Sequence, residues 1–256
     1  MRKKRRKKRK WNGLQLVAVM IIGIGLFFVL LPHLLRVFYY HNSTRLAEQL
    51  EDAMGSTPVS YIEIDYSKLK TAQPIVYTAE EIDAAQQNTN LLDDLTDIDD
   101  NTTVIDSGSP AVDVGGVKED TYLLDIPAID LKICAIRCSS FERIYKDMRV
   151  GAAIFPNAPQ PDEIGNICMS AHRTGSRDYF RHLDQLKAGD IISLHCAEGV
   201  SYQYQVVSVT TIEPDDWSVT GQTLKPTLTM LSCQEYQGVS NGRRIMVRAE
   251  LVGISG

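Results

Sequence analysis

Hydrophobic positions change their rhythm several times along this chain. From Leu14 to Leu35 (LQLVAVMIIGIGLFFVLLPHLL) 22 residues pass without an Asp, Glu, Lys or Arg. About 20 apolar residues cross the hydrocarbon of a bilayer, so this run predicts a membrane-spanning helix. Ser43 to Met54 (STRLAEQLEDAM) places apolar residues at roughly helical spacing behind a Ser/Thr cap, predicting a short juxtamembrane helix that ends at Gly55. Tyr61 to Tyr77 offers short alternating apolar pieces around Pro74, which suit either a stalk or packing on a domain. From Glu80 to Asp120 the chain turns acidic and polar, with DDLTDIDDNTT and DSGSPAVDVGG. Such a composition buries little and predicts an extended linker.

A different texture begins at Thr121. YLLDIPAIDLKICAIR predicts two β pieces around Pro127, Ser140 to Arg149 a helix, and the Pro- and Ala-rich stretch from Gly151 to Asp162 loops. Strands are expected at Asn166–Ser170, Ile191–Cys196, Gln203–Ile212, Thr227–Cys233 and Arg244–Leu251, with a short helix over Tyr179–Leu186 closed by a turn at Ala188-Gly189-Asp190. Many short strands separated by turn signals predict a barrel or sandwich. About 135 residues, Thr121 to Gly256, suffice for one hydrophobic core. The pattern divides the chain into a tail (1–13), a spanning helix (14–35), a stalk or linker (36–120) and a mainly β domain (121–256).

Charge orients this arrangement. Nine of the first ten residues are Lys or Arg, which favours holding the N-terminus in the cytoplasm and placing the C-terminal bulk outside. A cleaved signal peptide would have an apolar core of ~7–15 residues ending in small side chains. This run is longer and ends in HLLRVFYYHN. The net charge is −5, but without the nine leading cations 18 basic residues face 32 acidic ones, a balance of −14. An acidic ectodomain argues against nucleic acid as a partner. The five cysteines form an odd set, which outside the membrane suggests one reactive thiol. Cys134 and Cys138 lie four strand residues apart, ~13 Å, too far for the ~4.4–6.8 Å of a disulfide. No CxxC occurs and the histidines are scattered, so no zinc site is expected. Most of these cysteines suit small core positions.

The candidate chemistry rests on His172, Cys233 and Arg244, in that order near the ends of strand-like segments. Taken singly, such a His is ordinarily a surface group, such a Cys a core filler and such an Arg solvated. Together they supply an acid/base, a thiol nucleophile and a cation for an oxyanion, the set that thiol-based acyl transfer needs. IGNICMSAHRTG, FRHLDQLKAGDII, TLTMLSC and GRRIMVRAEL, in that order, resemble the sortases, membrane-anchored cysteine transpeptidases of Gram-positive bacteria. The resemblance covers Thr121 to Gly256, and the N-terminal anchor agrees with it. The family's His stands in a GHR-like tripeptide, here Ala171-His172-Arg173; its Cys closes a TLxTC strand, here Thr229-Met230-Leu231-Ser232-Cys233, with Met for Leu and Ser for the second Thr. Its Arg opens the next strand. Arg243 and Arg244 would face opposite sides of that strand. The family spacing to a small residue five positions on fits Arg244 through Ala249 and does not fit Arg243.

The resemblance implies an eight-stranded sortase-like β-barrel with short helices, preceded by the transmembrane helix and stalk. It implies that Cys233 attacks a peptide carbonyl, His172 protonates the leaving amine and Arg244 binds the oxyanion. Substrates would be secreted proteins with a C-terminal LPxTG-like sorting signal. The amine acceptor would be a peptidoglycan precursor or a pilin lysine, and no cofactor or metal is expected. Glu213, Asp215 and Asp216, with Asp162 and Glu163, could offer oxygen ligands to calcium as in some sortases, though loop acids are ordinarily just solvated. The short connections before Thr227 and between Cys233 and Arg244 resemble pilin-polymerising or class D-like members. Two other readings remain: a non-catalytic barrel for binding or adhesion, and a simple extracellular cysteine protease.

Overall fold

Alternating apolar positions fold the C-terminal half into a closed barrel. The computed structural model describes residues 13–54, 61–87, 121–234 and 242–255. The basic tail and most of the acidic linker lie outside the described residues. The elements are α1 (Gly13–Met54), β1 (Ile62–Glu63), α2 (Ala79–Gln87), β2 (Thr121–Ile126), β3 (Leu131–Arg137), α3 (Ile144–Asp147), β4 (Ala152–Ile154), β5 (Asn166–Ser170), β6 (Ile191–Cys196), β7 (Ser201–Ile212), β8 (Thr227–Cys233) and β9 (Arg244–Ser255).

The strands run in the order β9-β7-β6-β2-β3-β4-β5-β8, and β8 pairs back onto β9, closing eight strands as the resemblance implied. Strand β1 adds to β9 through Ile62↔Ile254. The pairs β3–β4 and β5–β8 are parallel and the other pairs are antiparallel. One residue in two points inward, and Leu124, Ile133, Ile167, Met169, Leu194, Tyr204, Leu228, Met230, Val247 and Leu251 fill the interior. A second apolar cluster coats the outside: Cys138, Phe141, Ile144, Met148, Ala153, Phe155 and Cys168, with Tyr77, Trp217 and Leu231 packed against it.

Several expectations need correction. The stretch from Gly151 to Asp162 is not all loop, because β4 lies within it. Its start needs glycine: a Cβ on Gly151 would stand 2.1 Å from the Cys134 carbonyl oxygen. The expected helix over Tyr179–Leu186 is only a 3-10 turn, Leu183–Gln185. Ser140 to Arg149 is divided between a 3-10 turn, Phe141–Arg143, and α3. No break separates the spanning helix from Ser43–Met54, since α1 runs through both. The Thr44 hydroxyl, a cap candidate in the sequence, instead donates to Tyr40 O at 2.9 Å inside the continuous helix.

The segments assigned to a stalk are, over their described residues, packed on the barrel. Ala47 and Leu50 of α1 bury against Leu123 and Cys134, and Lys132 Nζ lies 3.0 Å from Glu51 Oε2. Farther on, the Ile164 amide donates to Lys70 O at 2.7 Å and the Ala72 amide to Ile164 O at 2.9 Å. Helix α2 lies where an extended acidic linker was expected. Thr78 and Glu81 cap it reciprocally: Thr78 N donates to Glu81 Oε2 (2.8 Å) and Glu81 N to Thr78 Oγ1 (3.2 Å). Among the described residues, α1 is the one helix long and apolar enough to cross a membrane.

Candidate active site

Strand register sets the site. Strands β8 and β9 pair Cys233 directly with Arg244. The parallel pair β5–β8 ends at Ser170↔Leu231, and His172 and Cys233 each stand two residues beyond that pair. Two bonds carry the register onward: Ala171 N donates to Leu231 O at 3.3 Å and Ser232 Oγ to Ala171 O at 2.9 Å. The three residues therefore form a row across the ends of β5, β8 and β9.

Alternation decides which face they share. Leu228 and Met230, Ile167, Met169 and Ala171, and Ile245 and Val247 belong to the interior. Positions of the other parity, Leu231 and Cys168, belong to the outer cluster. Cys233 and Arg244 have that outward parity. The His172 ring lies 5.8 Å from the ring of Tyr145 on α3, also on the outside. All three are half-buried. Arg244 Nη1 donates to Gly242 O at 2.7 Å. Arg243 is exposed, and its Nη2 reaches Glu213 Oε1 at 2.8 Å.

On the same outer side of the sheet the second cluster forms an aromatic core of its own, with Phe141 and Phe155 buried and Tyr77 and Trp217 half-buried. Tyr77 packs edge-on against Phe141, with centroids 4.7 Å apart, and lies 6.4 Å from both Phe155 and Trp217. Its hydroxyl donates to Pro156 O at 3.2 Å, and burial pushes its pKa up. Trp217 sits in a turn, Trp217–Thr220, pinned by a buried polar network. Asn166 Nδ2 donates to Val219 O (2.9 Å) and Gly221 O (3.1 Å), while Thr229 Oγ1 donates to Asn166 Oδ1 (2.7 Å). Arg248 Nη2 also donates to Val219 O at 3.0 Å. No local pattern singles out Tyr77, although the capping box Thr78-x-x-Glu81 that follows it is visible in the sequence.

The other candidates have structural roles. All five cysteines are free. Burial pushes the thiols of Cys134, Cys168 and Cys196 up to about 12 and raises that of Cys138 as well. His182 Nδ1 is 2.9 Å from Gln185 Nε2. His195 Nδ1 is 2.6 Å from Ser201 Oγ, and burial lowers its pKa. Among the loop acids, Glu213 pairs with Arg243, Asp216 accepts from Ser218 N at 3.2 Å, and Glu163 accepts from Gln160 N at 3.0 Å. Among the described residues no three His, Cys, Asp or Glu side chains are grouped to hold a metal.

The family model described as the sortase domain matches residues 124–252. Sortase A of Bacillus anthracis is 28% identical over 131 residues, 51% of this chain and 59% of that protein. Sortase D of Bacillus subtilis (strain 168) is 28% identical over 120 residues, 46% of this chain and 57% of that protein. The matches thus span less than two thirds of the length of either curated relative. A solved structure of sortase C from Streptococcus pneumoniae superposes with a TM-score of 0.47 at 27% identity, covering 69% of this chain and 88% of that one.

Proposed function

Because the chain belongs to the sortase family, we propose that its barrel is a cysteine transpeptidase acting through Cys233, His172 and Arg244. The observation that carries this reading is the register: Cys233 paired with Arg244, and His172 level with both. The Cys233 thiolate attacks a backbone carbonyl carbon of the substrate, and the carbonyl oxygen becomes an oxyanion facing the Arg244 guanidinium. That cation keeps its proton through the cycle and offers a fork of donors. Protonated His172 gives its proton to the departing amine, leaving a thioester on Cys233. An incoming amine then attacks the thioester and passes its proton to His172. The thiolate leaves and the new amide is complete.

The substrate we propose is a secreted protein with a C-terminal LPxTG-like sorting signal. The acceptor is an amine, from either a peptidoglycan precursor or a pilin lysine. The basic N-terminus faces the cytoplasm and the barrel the outside of the cell membrane.

The test is a cleavage assay on an LPxTG-like peptide with and without an added amine. Amine should divert the product from acid to amide, and Cys233→Ala should abolish both products. Cleavage without diversion would identify a protease instead. No cleavage, with uniformly slow alkylation of all five thiols, would point to a binding module.

A further inference from the structure

The juxtamembrane part of α1 touches the loop that follows His172. Arg36 is the first residue past the apolar run, and its Nε lies 3.1 Å from Asp178 Oδ1. The Asp178 side chain is only 5% exposed, and its other oxygen holds Arg181 Nη1 at 2.5 Å. A carboxylate so far from water needs its cations, because an uncompensated buried charge is strongly unfavourable. The contact extends along both partners. The Arg177 guanidinium lies 4.1 Å over the Tyr39 ring, and the Tyr179 hydroxyl donates to Tyr39 O at 3.4 Å and Arg149 O at 3.1 Å.

From that contact the bonds lead to the reacting residues by two routes. Phe180, wholly buried, donates its amide to His172 O at 2.9 Å. Arg173, next to His172 and also buried, donates through Nε to Arg181 O at 3.2 Å and through Nη1 to Gln234 O at 2.6 Å. Gln234 directly follows Cys233. Arg173 also pairs with Asp184 at 2.7 Å. A segment of ten residues, 172–181, thus joins the anchor helix to the neighbours of both His172 and Cys233.

We propose that Arg36 is a positioning residue: by holding Asp178, the docked anchor helix sets His172 and Cys233 in working geometry. This rests on the transpeptidase reading. A contact that only glued the helix to the barrel would affect stability and leave turnover alone. A contact that sets geometry affects turnover, since an ångström of misplacement can cost up to ~100-fold in rate.

The experiment uses the full chain in lipid nanodiscs, with Arg36→Ala, Arg36→Lys and Glu51→Ala. Glu51 also docks α1, through Lys132, but stands apart from the His172 loop. The readouts are kcat, KM, the alkylation rate of Cys233 and the thermal midpoint. Arg36→Ala should lower kcat roughly tenfold with KM within about twofold. Arg36→Lys should restore most of the loss, and Glu51→Ala should leave kcat unchanged. Should Arg36→Ala fold poorly, Arg36→Gln keeps the shape and tests the same charge. Unchanged kcat in the Arg36 variants, or an equal loss in Glu51→Ala, would overturn the proposal. An unaltered chain that neither cleaves nor labels selectively at Cys233 would sink the transpeptidase reading and this role with it. An active unaltered chain matched by Arg36→Ala sinks the role alone.

Discussion

Arg243 and Arg244 are chain neighbours with opposite surroundings. Arg244 stands across from Cys233, whereas Arg243 points to solvent and pairs with Glu213. Exposed ion pairs are worth about 0–1 kcal/mol, so Arg243→Ala should leave turnover within about twofold. Arg244→Ala should lower kcat by about 100-fold or more, the loss seen when an oxyanion donor is removed, and Arg244→Lys should recover little of it. The thiols give a second expectation. In the unfolded chain they ionise near their ordinary value of 9.0, but in the fold Cys134, Cys168 and Cys196 hold their protons until about 12. A raised acid stabilises the fold below its unfolded pKa and loses that contribution as pH climbs through the window. The melting temperature should therefore fall between pH 9 and 12, and Cys134→Ala with Cys168→Ala should flatten the decline. At this scale the placement of His172, Cys233 and Arg244 in one row followed from short motifs and strand parity, and their roles stay with the proposed function. Arg36 and Tyr77 did not, because their partners lie about 140 and 64 to 140 positions away and no local pattern encodes them.

Two threonines show where reading elements from sequence succeeds and fails. Thr44 has the look of a cap but sits inside α1, satisfying its hydroxyl on the preceding turn. Thr78 begins a genuine capping box, just ahead of the stretch, Glu80 to Asp120, whose composition predicted an extended linker. A hydroxyl four residues ahead of a carbonyl partner and one at a helix start look alike until the tertiary contacts are known. Most of the barrel strands were legible as short apolar and β-branched runs bounded by turn residues. Strand β4 was not, since three residues of Ala-Ala-Ile beside prolines carry no period. Its dependence on close backbone approach gives a further expectation. Gly151→Ala places a methyl group against the Cys134 carbonyl, and should cost about 1–3 kcal/mol, read as a lower denaturation midpoint with an unchanged m-value.

For the whole molecule, the feature of note is the contact that joins α1 to the barrel. The sequence divides them cleanly, because a spanning run and a β domain obey different rules. The surface that joins them, Ala47 and Leu50 on Leu123 and Cys134, is too small to leave a pattern. Replacing Leu50 with Asp would bury an unpaired charge in that contact. The expected result is release of α1 from β2 and β3, read as rapid native-state alkylation at Cys134, which is otherwise covered. An unchanged labelling pattern would show that the contact tolerates the charge.

An unhinged α1 also fixes a height. Tyr39 lies four residues past Leu35, about 6 Å along the helix axis, so with Leu35 at the edge of a bilayer the loop beside His172 would ride little more than one helical turn above the lipid. On the proposed reading, reach as well as sequence would then select substrates: a cleavable segment held far above the bilayer would pass out of range, however well its letters match.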